Sequence, residues 1–155
     1  MQQNEEALKK IVFLDRDGVI NVDSADYIKI PDEFNFIPQS PEAVALLCKN
    51  GFDVILITNQ SLVGRKMATQ ATLDAIFKKM ITGIEKAGGS IKDIFFCPHT
   101  PQEGCDCRKP RTGLVTRFLL ENPPDLARSY VIGDRETDLA LADNLGLPGL
   151  RVGPD

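Results

Sequence analysis

No apolar stretch in the 155 residues approaches the ~20 that a bilayer-spanning helix needs, so no membrane span is expected. Positive charge is not in excess either. A net charge of −4 lacks the basic signature of a nucleic-acid binder, so no nucleic-acid partner is expected. The opening residues Met1-Gln2-Gln3-Asn4-Glu5-Glu6 are polar and acidic, without the basic start and apolar centre of a signal peptide. A cytoplasmic protein is the default reading. Internal repeats, low-complexity tracts and linkers are missing, and the length suits one domain spanning residues 1–155. Cysteine is scarce and unevenly spread. Of four cysteines, Cys97, Cys105 and Cys107 crowd into one stretch with His99, the sole histidine. That clustering fits a metal site in a reducing compartment better than a disulfide framework.

What is present is a regular alternation. Ile11-Val12-Phe13-Leu14 is a short, bounded apolar run, as in a strand buried on both faces. A loop of mixed polar and aromatic residues follows from Asn21 to Gln39, long enough to suggest a functional role. Ser40-Pro41-Glu42 reads as an N-cap with proline at the first helical position, and that helix stops near Gly51. Asp53 to Ile57 is a second buried strand. Thr69 can cap a long helix whose stripe Leu73, Ile76, Phe77, Met80, Ile81, Ile84 has spacings of three and four. Ile91 to Phe96 reads as a third strand, Leu114 to Leu120 as a helix, and Tyr130 to Ile132 as a fourth strand. Leu139 to Leu145 is a last helix, and Leu150 to Val152 a short final strand. Strands alternating with helices predict an α/β, Rossmann-like fold, a parallel sheet with helices on both faces. With right-handed crossovers and the first strand central, the expected order of the five strands is 3-2-1-4-5.

In that order the carboxyl ends of strands 1, 2 and 4 meet at the switch point where α/β proteins bind ligands. They carry Asp15 and Asp17, Thr58 and Asn59, and Gly133 and Asp134. Asp-x-Asp-Gly alone is an ordinary turn. Period-2 geometry, however, points Asp15 and Asp17 the same way, and two carboxylates that close need a cation or a proton between them. Asp134 adds a third acid, and hard oxygen ligands with open positions suit Mg²⁺. Asp138, four residues on, is equally a helix cap or a ligand. The Thr58 hydroxyl and the amides after it can bind phosphate oxygens, and Lys109 supplies a point charge. A carboxylate nucleophile, a second carboxylate, a divalent cation, a hydroxyl and an ammonium are the equipment of phosphoryl transfer through an aspartyl-phosphate.

Cys97-Pro98-His99 followed by Cys105-Asp106-Cys107 reads Cys-x-His-x5-Cys-x-Cys. Three thiolates and an imidazole make a closed four-coordinate Zn²⁺ set with no position left for water, hence a structural zinc loop.

The set Asp15-x-Asp17-Gly18, Thr58-Asn59, Lys109-Pro110 and Gly133-Asp134-x-x-x-Asp138 resembles the haloacid dehalogenase (HAD) superfamily of phosphatases, subfamily IIIA. The resemblance implies that Asp15 is the nucleophile and Asp17 the general acid and then the general base. It also implies Mg²⁺ held by Asp15, the Asp17 backbone carbonyl and Asp134, with Lys109 and Thr58 steadying the transferred phosphoryl. No large cap domain fits between the motifs. Cys-Pro-His and Cys-x-Cys-Arg-Lys-Pro are similar to two groups within the superfamily, the heptose-bisphosphate and histidinol-phosphate phosphatases. Phe34-Asn35-Phe36-Ile37-Pro38 and Thr58-Asn59-Gln60-Ser61 with Arg65 lean to the former, and the stretch from Ser129 to Arg135 to the latter. The expected substrate is the 7-phosphate of D-glycero-D-manno-heptose 1,7-bisphosphate, in lipopolysaccharide core precursor synthesis. Histidinol phosphate is the alternative. The implied substrate contacts are Asp23, Asp26, Asn59, Gln60, Ser61, Arg108 and Arg135. Arg65, Lys66 and Arg111 join Arg108 and Arg135 as cations for a second phosphate, since guanidinium binds phosphate in a bidentate way. A monomer acting on a small phosphorylated metabolite is expected.

Overall fold

The computed structural model describes residues 8–153. Five parallel strands form one sheet: β1 (Ile11–Leu14), β2 (Asp53–Asn59), β3 (Asp93–Cys97), β4 (Tyr130–Gly133) and β5 (Gly149–Arg151). Their order is β3-β2-β1-β4-β5, as the crossover argument predicts. Phe13 lies opposite Ile55 on one side and Val131 on the other, which makes β1 central. Its side chains alternate between two cores. Val12 and Leu14 pack with Val54, Leu56 and the buried stripe of α2 (Gln70–Lys86) under α1 (Ser40–Lys49). Ile11 and Phe13 pack with Ile55, Ile57 and Val131 against α3 (Thr116–Glu121) and α4 (Glu136–Leu145). Both faces are therefore covered, which is why β1 and β2 read as continuous apolar runs. Among the described residues no helix is long and apolar enough to cross a membrane.

Local chemistry sets the helix ends. The Thr69 hydroxyl accepts the Thr72 amide at 3.2 Å and starts α2. Ser40 does not cap α1 as the sequence suggests. Gln39, at φ 72°, is the residue that turns into the helix. Ser40 is already helical, and its hydroxyl donates to the Ile20 carbonyl at 2.6 Å, tying α1 to the loop after β1. β3 starts at Asp93 rather than Ile91, because Ile91 packs on the core without joining the ladder. Similarly, α3 starts at Thr116, after a turn in which the Thr112 carbonyl accepts both Val115 and Thr116 amides.

The long loop 21–39 is pinned rather than free. It buries Ile28 and Phe34. Val22 and Asn35 join by a 2.9 Å backbone bond, and the Lys79 ammonium of α2 donates to the Pro31 and Phe34 carbonyls at 2.7 Å each. Neither this loop nor the one between β2 and α2 holds an inserted folded cap. The carboxyl ends of β1, β2 and β4 therefore open onto solvent through a cleft.

Candidate active site

That cleft has a volume of about 810 Å³. Asp15 and Asp17 both line it, as the period-2 argument requires. Asp15 is 8% exposed, and its carboxylate lies 3.0 Å from the ammonium of Lys109, itself 4% exposed. Lys109 also meets Asp138 at 2.6 Å. The Asn59 side chain clamps the Lys109 backbone, accepting its amide at 3.0 Å and donating to its carbonyl at 3.5 Å. Asn59 thus delivers Lys109 as well as lining the cleft. The peptide bond from Lys109 to Pro110 is cis.

Asp138 does two things at once. One oxygen pairs with Lys109, and the other accepts the Arg135 amide at 3.3 Å, capping α4. The sequence leaves the cap and the site as alternatives; the structure combines them. Asp15, Asp134 and Asp138 each offer a carboxylate oxygen within 4.8 Å of the others. Three carboxylates against one ammonium leave two negative charges, which a divalent cation would neutralise. Asp134 Oδ1 is buried without a hydrogen-bond partner among the described residues, the condition of an oxygen suited to a cation. Asp134 rests against Gly18, where a Cβ would come within 2.0 Å of its Oδ2. Gly18 also holds φ at +85°, so the turn and the close approach both require glycine. At Gly133 the close approach alone requires glycine, since an added Cβ would lie 2.1 Å from the Asp138 Cγ. The residues present fit Mg²⁺.

The electrostatics follow from this crowding. Burial pushes the Asp15 carboxyl up to about 6; Asp138 and Asp17 add to the rise and Lys109 opposes it. Burial works against the Lys109 ammonium, yet Asp15 and Asp138 outweigh it and hold Lys109 above its usual value. Burial also raises Asp134, with Arg135 opposing and Asp138 adding.

The other sequence-derived positions divide. Asp23, Asn59, Gln60, Ser61, Arg65, Arg108 and Arg135 line the cleft. Arg135 donates to Asp23 at 2.8 Å, and this hydrogen bond holds the guanidinium above its usual value. Thr58 lies beneath the floor, 1% exposed, its hydroxyl accepting from Gln60 at 3.0 Å. Asp26 does not line the cleft. The turn in which Tyr27 donates to the Ser24 carbonyl presents Ser24, Ala25 and Tyr27 there instead. Arg111 bonds the Cys105 carbonyl, and Lys66 faces a separate shallow depression. Sequence reasoning did not single out Arg16 and Asn21. Both are fully buried and both donate to the Asp17 carboxylate.

Next to the cleft, the Sγ atoms of Cys97, Cys105 and Cys107 and the Nδ1 of His99 lie within 4.8 Å of one another. Cys107 is 3.1 Å from both His99 and Cys97. Tetrahedral Zn–S bonds of ~2.3 Å would set sulfurs roughly 3.8 Å apart, so a small adjustment seats the ion. Burial, reinforced by hydrogen bonds with Cys97 and Cys105, pushes the Cys107 thiol up to about 12. A divalent cation among the sulfurs reverses that by stabilising the thiolates. The loop is tied to the cleft: Gln60 donates to the Cys97 carbonyl at 2.8 Å, and Gly64 to Pro98 at 2.9 Å.

Comparison with known proteins agrees with this geometry. Residues 106–153 match a family model described as HAD-hydrolase-like. The D-glycero-β-D-manno-heptose-1,7-bisphosphate 7-phosphatase of Bordetella bronchiseptica is 42% identical over 137 residues, 88% of this chain and 76% of that protein. A crystal structure of D,D-heptose 1,7-bisphosphate phosphatase from B. bronchiseptica, complexed with magnesium and phosphate, superposes with a TM-score of 0.86. It is 41% identical, covering 90% of this chain and 78% of that one. The histidine biosynthesis bifunctional protein HisB of Campylobacter jejuni is 35% identical, covering 94% of this chain but 42% of that protein. The chain belongs to the HAD-like hydrolases and is a phosphatase, a phosphoric monoester hydrolase, of that family.

Proposed function

We propose that this phosphatase removes the 7-phosphate of D-glycero-β-D-manno-heptose 1,7-bisphosphate, a precursor of the lipopolysaccharide core. The observation that carries the reading is a buried Asp15–Lys109 pair at the floor of a cleft whose walls hold Arg65, Arg108 and Arg135. It joins a nucleophile to guanidinium groups placed to meet a second phosphate, with Arg135 already carrying Asp23, in a chain about 40% identical to enzymes named for that substrate. We further propose that residues 1–155 act as one domain, as a monomer, in the cytoplasm, where clustered thiols stay reduced.

In this reading an Asp15 oxygen attacks phosphorus, and the bond from phosphorus to the sugar oxygen breaks as Asp17 gives that oxygen a proton. The phosphoryl group now rests on Asp15. Asp17 then takes a proton from water, the water oxygen attacks phosphorus, and the bond to Asp15 breaks to release orthophosphate. Lys109 holds a phosphoryl oxygen, and the Thr58 hydroxyl just beneath the floor, already accepting from Gln60, keeps its O–H free to donate a hydrogen bond to another. Asp15, the Asp17 carbonyl and Asp134 would hold Mg²⁺, which when bound neutralises charge on the phosphate oxygens. Cys97, His99, Cys105 and Cys107 would hold a structural Zn²⁺. Ser61, Gln60, Asn59 and the loop residues Asp23, Ser24 and Ala25 face or flank the sugar, and the arginines take the second phosphate in bidentate fashion.

The test is phosphate release, with Mg²⁺ present, from D-glycero-β-D-manno-heptose 1,7-bisphosphate and L-histidinol phosphate side by side. Charge-assisted contacts to the second phosphate worth about 2 kcal/mol predict a preference in kcat/KM of about thirtyfold or more for the bisphosphate. A preference for L-histidinol phosphate would overturn the reading in favour of the HisB-like alternative.

A further inference from the structure

Arg16 is the largest fully buried side chain in the described residues, and it lies between the two cleft aspartates in sequence. Its guanidinium is 0% exposed, a placement that is costly unless the charge is partnered. Nε and Nη2 both converge on one oxygen, Asp17 Oδ1, at 3.0 and 2.8 Å, instead of forking across the carboxylate. Asn21 Nδ2, also buried, donates to the same Oδ1 at 2.9 Å. Three donors on Oδ1 leave no room for a proton there. From the described residues Oδ2 receives a single bond, from Gln60 Nε2 at 3.1 Å, and keeps one lone pair.

The guanidinium is itself held. It lies 5.9 Å from the ring centre of Phe34 and 5.7 Å from that of Phe77, within cation–π range of both. The Lys79 ammonium fixes Phe34 by bonding the Phe34 and Pro31 carbonyls at 2.7 Å each. A chain of contacts therefore runs from α2 through Phe34 and Arg16 to the Asp17 carboxylate. An ion pair kept only for stability does not explain the one-oxygen geometry, because apolar residues of similar volume do that work as well or better.

We propose that Arg16, assisted by Asn21, is the positioning residue of Asp17. It fixes the carboxyl plane and reserves Oδ2 as the oxygen that delivers the proton to the leaving group and later accepts one from water. The proposal rests on the reading of Asp17 as the acid and base.

The two ideas separate in an experiment on leaving-group dependence. A sugar phosphate needs its leaving oxygen protonated as the P–O bond breaks; 2,4-dinitrophenyl phosphate, with a far better leaving group, does not. Asp17→Asn should lower kcat on the sugar phosphate by about a hundredfold or more and barely affect the first step on the aryl ester, followed as the burst of dinitrophenol. Arg16→Met should share that selectivity at a smaller scale, about tenfold to a hundredfold in kcat on the sugar phosphate with KM unchanged. The double variant should be no slower than Asp17→Asn alone. Should Arg16→Met fail to fold, Arg16→Lys carries the same comparison, because it keeps the charge and stem but supplies only one nitrogen. If Asp17→Asn shows no selectivity, the acid–base reading itself fails. If Asp17→Asn is selective but the Arg16 variants slow both substrates equally, or neither, Arg16 does not position Asp17 and the proposal is overturned.

Discussion

Replacing Asp15 with asparagine should abolish turnover and, in magnesium-free protein, make the fold more stable. The carboxyl is pushed from 3.8 to about 6, first by burial and then by Asp138 and Asp17, against the pull of Lys109. A carboxyl raised in the folded state contributes stability that is fully present below its unfolded value and is lost as pH rises through its folded value. At pH 7 Asp15 is ionised, so the fold carries a cost of about two pKa steps at 1.36 kcal/mol each, or about 3 kcal/mol. Asparagine has the same shape and no charge to desolvate. Lys109 is not stranded in the variant, since Asp138 remains 2.6 Å away. For a domain of this size 1 kcal/mol moves the melting temperature by ~2–4 °C, so the variant should melt about 6–12 °C higher.

The assay is thermal unfolding of both proteins in magnesium-free buffer with zinc retained, stepped from pH 7 to pH 4. The gap should shrink through that window and nearly close at pH 4, where Asp15 is protonated in the parent as well. Any acid lability of the cysteine cluster affects both proteins alike. Adding Mg²⁺ at a hundredfold excess over its Kd should return about 2.7 kcal/mol to the parent and less to the variant. A variant no more stable than the parent at pH 7, or a gap indifferent to pH, would refute the reasoning. So would phosphate release by the variant at the parental rate.

Stripping zinc with a strong chelator and then restoring Mg²⁺ should cut activity at least about tenfold, because structural zinc in small sites is worth ~10–16 kcal/mol and Cys107 precedes Lys109 by two residues. Full activity in protein shown to be zinc-free would contradict this. Gly18→Ala adds a strained φ of +85° and a Cβ 2.0 Å from Asp134 Oδ2. At a strain of ~1–3 kcal/mol, the dissociation constant for Mg²⁺ should rise about tenfold or more with zinc content unchanged, as titration calorimetry would read. Arg135→Ala releases Asp23 and should raise KM for the heptose bisphosphate more than for the corresponding 7-monophosphate. Equal increases for the two would mean that Arg135 does not meet the second phosphate.

The sheet was legible because its central strands are continuous apolar runs, and such runs suit strands covered on both faces. Strand order then followed from crossover handedness, and with it the meeting of Asp15, Thr58 and Asp134 at one edge. The cysteine cluster was legible from spacing alone. Boundaries were less so, as at Ser40, whose hydroxyl serves the Ile20 carbonyl across the fold instead of the helix it begins. Asp138 and Asn59 were half legible. Each sits at a recognisable local position, at a helix start or a strand end, but the partner that defines it, Lys109, comes from a distant loop.

Arg16 is the instructive miss, because the rule that places its neighbours also places it. Period-2 alternation sends Asp15 and Asp17 to the cleft only if residue 16 points away, to the side of Val12 and Leu14, where α1 and α2 close the core. An arginine on that side has to find an acceptor and a surface for its plane. Asp17 is within reach as its sequence neighbour, and Phe34 and Phe77 are among the aromatic rings of that core. A charged residue flanked by two site carboxylates, on the buried phase of a strand, is therefore a signal in its own right. Either the strand has ended before it, or the charge is spent inside on one of the carboxylates. Here the turn that begins at Arg16, whose carbonyl accepts the Ile20 amide at 2.8 Å, lets the chain leave the sheet while the guanidinium stays in the core, and the acceptor is Asp17.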